Sequence, residues 1–456
     1  MSWRRLRFPP LHALLLAPLL LVGLGMRWPF MVNRVSPQLD TDTIAYFAIT
    51  DQMNAGHFFA ASGTDRGTPG YSMFVWLTDH LGGVREVNLV VVQHLLGLAI
   101  AAAVLLWAWR AIDPVTAILS CALLALSPVM FIVEDEALPD FLLGALLIAF
   151  VIILASSALR PAAERRWWWL AAAGVVLGAA TLTKPVAELA VLAVPITLAF
   201  AGGPRRAVLR GTLLVAAGFA LVVGPFLLQS MISYGEPSLT AQSGATLFVR
   251  EFEIGGRPIP TDTRDGQIVT DAVQGMAEGH IPQRTYVTGL QALERVRGIN
   301  SREAMQRERS LAVHSILKHP FGYAWKTLQL SDRFFYETRG TAALAEPHLP
   351  RAGANDTSFT HSVWSVGEWL TNRWWMFSIH GFTVLLALLI GSRRRRIACA
   401  ALISTGVCVA IGTAALHGGL PRYSWGMVPL TYTAGFAGAV AGAAAMWRGA
   451  RARTIY

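Results

Sequence analysis

Asp40-Thr41-Asp42-Thr43-Ile44-Ala45-Tyr46 follows an apolar run from Leu11 to Met26, and the abruptness of that change decides how the rest of the chain is read. The apolar run has the length and polarity of a membrane helix. A carboxylate pair beside a bilayer is costly to keep unless it is solvated, paired or working, so the acidic stretch is the leading candidate for a functional site. The basic start, Met1 to Arg7, imitates a cleavable leader, but no small-x-small site follows and the run is read as a retained first span.

The 456 residues are 54% hydrophobic and 14% charged, with mean hydropathy +0.46. That is too apolar for a soluble globular protein. Windows long enough to cross about 30 Å of hydrocarbon at 1.5 Å per residue lie near 11–29, 88–109, 114–133, 138–158, 167–183, 186–201, 207–230, 374–391, 396–416 and 425–447. The expected fold is therefore an all-α polytopic membrane protein of about ten transmembrane helices with a mixed extracytoplasmic loop region. Its expected parts are an N-terminal transmembrane module (1–230) whose first loop (30–87) carries the acidic motif, a loop region (231–373), and a C-terminal transmembrane module (374–456).

Arginine sets the orientation. Arg4, Arg5, Arg7, Arg160, Arg165, Arg166, Arg205, Arg206, Arg210, Arg393 to Arg396, Arg448, Arg451 and Arg453 fall on one side of a ten-span count, which makes that side and both termini cytoplasmic. Of 38 basic residues only Lys184, Lys318 and Lys326 are lysine, a bias that points to a GC-rich bacterial genome and its inner membrane. The net charge of +10 is spent in these flanking runs, not in a nucleic-acid-binding face. Cys121, Cys399 and Cys408 sit in apolar stretches and read as small core residues. Thr183-Lys184-Pro185 interrupts spans five and six; merging them would carry Arg205, Arg206 and Arg393 to Arg396 to the outer side, so two short helices are expected. The charged run from Gln283 to Lys318 reads as a solvated helix, and its aromatic sequel to Tyr336 as interfacial.

In the first outer loop Asp42 and Tyr46 are four apart, hence on one helical face, and Asp65-Arg66-Gly67-Thr68-Pro69-Gly70-Tyr71 follows. Farther on come Glu134-Asp135-Glu136-Ala137-Leu138, Leu182-Thr183-Lys184-Pro185, His319-Pro320 and Pro421-Arg422-Tyr423. The order and common sidedness of these pieces resemble GT-C glycosyltransferases, in the branch that contains protein O-mannosyltransferases and the aminoarabinose transferase of lipid A. Thr43 and Gly67-Thr68-Pro69 depart from the aminoarabinose-transferase pattern of Glu after the loop Asp and a Lys-Pro-Pro turn.

The resemblance implies an inverting transfer of a sugar from a polyprenyl-phosphate donor to an acceptor hydroxyl on a glycolipid, polysaccharide or protein. Such chemistry needs a carboxylate to take the hydroxyl proton, cations to neutralise the departing phosphate, and an apolar groove for the lipid. Asp42 is the expected base, with Asp40 as second carboxylate; the plain alternative is that both cap the loop helix. Arg66, Lys184, His417 and Arg422 are the phosphate candidates, and Tyr46, Tyr71, Glu136 and Tyr423 complete the expected substrate site. Against these stand an Asp65–Arg66 turn, a Lys184–Glu188 pair, and interfacial roles for His417 and Arg422. A divalent cation, Mg²⁺ or Mn²⁺, would draw on Asp40, Asp42, Glu134 and Glu136, whose alternative is an acidic turn opening the fourth span ahead of Pro139. His94 reads as structural. A flippase of lipid-linked saccharide and a non-catalytic envelope scaffold are the competing classes; no Walker loop, zinc-protease motif or nucleophile elbow is present.

Overall fold

Peptide groups placed in hydrocarbon must satisfy one another, and an open chain does this only as helix. The computed structural model describes residues 10–32, 41–58, 68–161, 167–235, 237–240, 242–274, 283–336, 374–417 and 428–453, and among these there is no strand. In the first half, α1 (Pro10–Val32) is followed by two short helices, α2 (Thr41–Asn54) and α3 (Pro69–Asp79). Then come α4 (Arg85–Ala111), α5 (Pro114–Leu126), α6 (Pro128–Asp135), α7 (Pro139–Ala158) and α8 (Trp167–Thr183). A 3-10 helix (Pro185–Leu192) leads into α9 (Ala193–Phe200) and α10 (Arg205–Tyr234). Helices occupy all ten apolar windows; among the described residues four, Arg85–Ala111, Pro139–Ala158, Arg205–Tyr234 and Arg393–Leu416, are long and apolar enough to cross a membrane.

Proline articulates this half. Thr68, Asp113, Leu138 and Lys184 each precede a proline and each is extended, with ψ of 146°, 162°, 155° and 119°. The proline ring drives the preceding residue out of the helical region while its own fixed φ starts the next helix. The same rule breaks the 114–133 window at Ser127 (ψ 124°) before Pro128. It also makes the 167–201 stretch two packed segments joined at Lys184.

Small residues set the crossing of α8 and α10. A Cβ on Gly174 of α8 would collide with the Val215 carbonyl of α10, and one on Gly218 of α10 with the Ala171 carbonyl of α8. The two backbones therefore touch, the geometry small residues permit between membrane helices.

The second half begins beyond Gly235, which caps α10 at φ 75°. α11 (Ser243–Phe248), a π-helical turn (Val249–Ile254), α12 (Arg264–Gln274), α13 (Gln283–Arg297), α14 (Ser301–Lys318) and α15 (Pro320–Tyr336) follow. The charged run of 283–318 is not one solvated helix. It breaks at Gly298, φ 65°, and its halves bury Leu293, Ala304, Leu311 and Ala312 against Phe248, Phe252 and Val269 in a core of their own.

The chain closes with α16 (Trp374–Ile390), α17 (Arg393–His417) and α18 (Val428–Arg453). α17 is threaded through the bundle, burying Ile397 to Leu402 and Val409 to Ala410. At its start Arg393 donates to the Ala201 carbonyl at 2.7 Å and Arg395 to Asp113 at 3.0 Å. The loops after spans two and six and the start of span nine thus meet at one end, as the arginine count requires.

Candidate active site

At the opposite end, α2 and α3 fold over the mouth of the bundle, each held by a threonine. Thr43 Oγ1 donates to the Ala137 carbonyl at 3.1 Å, and Thr68 Oγ1 to the Thr183 carbonyl at 2.7 Å. Gly70 lies so close to the Leu182–Thr183 backbone that a Cβ there would overlap it, which is why glycine follows Pro69. Thr50 Oγ1 bridges the two short helices by donating to the carbonyls of Tyr46 and Ser72 at 3.0 and 3.1 Å.

Tyr71 is the hub. It is fully buried, meets Tyr46 edge to face at 5.1 Å, and donates its hydroxyl to Gln93 Oε1 at 3.2 Å. Gln93 Nε2 in turn donates to the main-chain carbonyls of Glu134 (2.8 Å) and Glu136 (3.0 Å), fixing the acidic turn. Burial, then electrostatic coupling to Tyr46 and the negative charges of Asp140 and Glu136, hold the Tyr71 phenol well above its ordinary pKa, so it stays a proton donor. Across the same mouth Lys184 Nζ donates to Asp140 Oδ1 at 2.6 Å.

Beneath the acidic turn lies an ionic cluster. Arg27 of α1 grips both oxygens of Glu134 (2.7 and 2.8 Å) and the carbonyls of Gly23, Leu124 and Ala125. His94 Nδ1 is 2.7 Å from Glu134 Oε2, and all three side chains are fully buried. Gly97 makes room: a Cβ there would strike the Glu134 carboxylate. Burial pushes neighbouring Asp135 up to about 6, with His94 pulling the other way, and its Oδ1 has no partner among the described residues.

Of the residues singled out from sequence, Asp42, Tyr46, Tyr71, Glu136 and Lys184 are brought to this one end. Asp42 lies half-buried in the first turn of α2, where a carboxylate also meets the favourable end of the helix dipole. Asp40, Arg66, Arg422 and Tyr423 lie outside the described residues, as does the side chain of His417, whose backbone ends α17. Lys184 reaches Asp140, because Pro185 starts a 3-10 helix, whose three residues per turn set residues four apart on different faces, and Glu188 is exposed. Glu134 has both oxygens engaged by Arg27 and His94, which takes it from the candidate cation ligands and leaves Asp42 and Glu136 among the described residues, with Asp40 outside them. Among the described residues no three His, Cys, Asp or Glu side chains converge on a metal position. Sequence reading missed Arg27, Gln93 and Asp140. Their signal was weak: each is a polar residue near the end of an apolar window, with side-chain partners or turn carbonyls between 22 and 107 positions away.

Residues 66–228 match the family model described as dolichyl-phosphate-mannose-protein mannosyltransferase. No curated protein matches the chain. Among solved structures it is similar to the oligosaccharyltransferase AglB of Archaeoglobus fulgidus in complex with an inhibitory peptide and a dolichol-phosphate. There the TM-score is 0.50 at 12% identity, over 96% of this chain and 50% of that one. The same archaeal enzyme tethered to an acceptor peptide matches at TM-score 0.50 and 13% identity, over 94% and 49%. ArnT of Cupriavidus metallidurans bound to undecaprenyl phosphate gives TM-score 0.39 and 15% identity, over 90% and 77%. The chain spans about half the length of the archaeal structures it matches. It has the GT-C fold of a polytopic membrane protein, and part of its first half carries the sequence pattern of a GT-C mannosyltransferase family.

Proposed function

With the GT-C fold as premise, we propose that this protein is an inverting glycosyltransferase that moves a sugar from a polyprenyl-phosphate donor to an acceptor hydroxyl at the outer face of a bacterial cytoplasmic membrane. The observation that carries the reading is the convergence around Tyr71: the helix bearing Asp42, the turn bearing Glu136, and Lys184 meet at the end opposite the arginines. The archaeal relative of the same fold was solved with a dolichol-phosphate, which supports a lipid-phosphate donor for this chain.

The chemistry follows from those groups. The acceptor oxygen attacks the anomeric carbon as its proton passes to Asp42; the bond from that carbon to the phosphate oxygen breaks, and the electron pair leaves with the phosphate. A single displacement inverts the anomeric centre. Lys184, steadied by Asp140, offers ammonium N–H groups to the phosphate, and Arg66, His417 and Arg422 are assigned to the same charge. Tyr71 remains protonated and, through Gln93, keeps Glu136 in register. Asp40, Asp42 and Glu136 are the groups that would hold a divalent cation, which would add positive charge at the leaving phosphate.

Purified protein in nanodiscs, given a polyprenyl-phosphate sugar, is expected to release polyprenyl phosphate only when an acceptor is added. Release without acceptor dependence, or none across hexosyl and pentosyl donors, overturns the proposal. One observation favours a flippase instead, namely the charged Arg27–Glu134–His94 cluster inside the bundle. Translocation of labelled donor across proteoliposomes without glycosidic bond formation would establish that reading.

A further inference from the structure

α15 is buried on one face and apolar on the other. Its inner face packs through Thr327, Leu330 and Ser331, all buried, and through Tyr323, whose hydroxyl donates to the Ala415 carbonyl at 2.5 Å. At 3.6 residues per turn the opposite face carries Phe321, Trp325 and Leu328. Leu317, in the last turn of α14, is a further exposed apolar side chain. Among the described residues these four are 88%, 64%, 55% and 74% exposed. A helix lying in water turns polar residues away from its core; this one turns outward its largest apolar side chains.

Two tethers fix the height of that stripe. At one, Arg250 donates to the Ala414 carbonyl at 2.7 Å and Tyr323 to Ala415, so α15 is bound to the last turn of α17. At the other, the Arg302 guanidinium of α14 stacks 3.7 Å over the ring of Tyr234, the last residue of α10. α10 and α17 are two of the helices long and apolar enough to cross a membrane. The α14–α15 pair is therefore held level with the ends of two membrane-length helices, where hydrocarbon gives way to head groups.

We propose that Leu317, Phe321, Trp325 and Leu328 form a membrane-contact surface that sinks into the boundary between head groups and acyl chains on the side of the candidate site. Aromatic side chains favour that depth, and in-plane amphipathic helices bury their apolar faces about 5–10 Å into it. Lys318 serves through its apolar stem, because its ammonium is held by Asp262. The occupant of the surface is thus the bilayer itself, and the surface anchors the extramembranous bundle. It does not depend on glycosyl transfer, only on α10 and α17 crossing the membrane.

The test uses full-length protein in nanodiscs of zwitterionic and anionic phospholipid, spin-labelled at Phe321→Cys or Trp325→Cys in a Cys408→Ala background, with Ser310→Cys as an exposed control. Collision rates with oxygen, which partitions into lipid, and with a water-soluble nickel chelate are expected to differ severalfold in favour of oxygen at both stripe positions and to reverse at position 310. Nickel access at the stripe would place it in water and overturn the proposal. Exclusion of both reagents would also overturn it, since the surface would then be covered by protein. As a check free of cysteine substitution, brominated-chain lipids are expected to quench wild-type tryptophan fluorescence more than that of Trp325→Phe; equal quenching counts against the proposal.

Discussion

Arg27 and Glu134 illustrate what one buried charge imposes on its surroundings. Removing one partner of a buried, hydrogen-bonded pair leaves the other uncompensated, at a cost of about 3–5 kcal/mol. Arg27→Met is therefore expected to lower the thermal unfolding midpoint sharply in detergent, and Gly97→Ala to do the same by displacing the Glu134 carboxylate. An unchanged midpoint in both would mean the cluster is not closed as described. Neither partnership was legible in sequence, because Arg27 looks like a residue flanking a span and Glu134 like one of three equivalent acids; only the bundle says which acid faces inward. The Asp42 to Tyr46 spacing, by contrast, was legible, because it is local and helical, and the structure puts both on α2. Stability also depends on pH. Burial, then the charge of Glu253, pushes Glu308 of α14 up to about 9, and both its oxygens lack partners among the described residues. Its folded pKa exceeds its ordinary value near 4.5, so the folded state holds a proton that the unfolded chain has lost, and stability falls as pH rises from about 4.5 to 9. Asp135 acts in the same direction but only between about 4 and 6. Glu308→Gln is expected to flatten the decline between pH 6 and 9 and to raise the midpoint at pH 8; a parallel pH curve contradicts this.

Elements end where proline and glycine tell them to, and this part of the fold was open to reading in advance. Pro114, Pro128, Pro139 and Pro185 each start a helix. The tally of arginines likewise grouped Arg393 and Arg395 with the loops at Asp113 and Ala201, which they contact. What could not be read was the form of the segment after Lys184: a 3-10 helix, whose narrower turn sends Glu188 elsewhere and leaves Lys184 to Asp140. Under the proposed mechanism Lys184→Met is expected to lower kcat by about 10²–10³ by withdrawing a cation from the leaving phosphate. Lys184→Arg is expected to recover part of the loss, and full activity of Lys184→Met would remove it from the site. At the α8–α10 crossing, Gly218→Val is expected to cost about 1–3 kcal/mol by driving its side chain into the Ala171 carbonyl, read as a lower unfolding midpoint.

The whole molecule divides its labour between ends. Arginines paired with a main-chain carbonyl and a carboxylate close one end of the bundle. At the other, two short helices, an acidic turn and a lysine are drawn around one buried tyrosine. A separate small helical bundle leans on the same end through Arg250 and Tyr323. Long-range pairing of this kind is invisible to local sequence patterns, which is why the spans could be located while the contacts among their ends could not. The central claim is that Asp42 takes the acceptor proton at that mouth. The direct measurement is acceptor-dependent release of polyprenyl phosphate by Asp42→Asn and wild type, at matched thermal stability. The account predicts a loss of about 10²–10⁴ in kcat, the scale of a general base; turnover equal to wild type would contradict it.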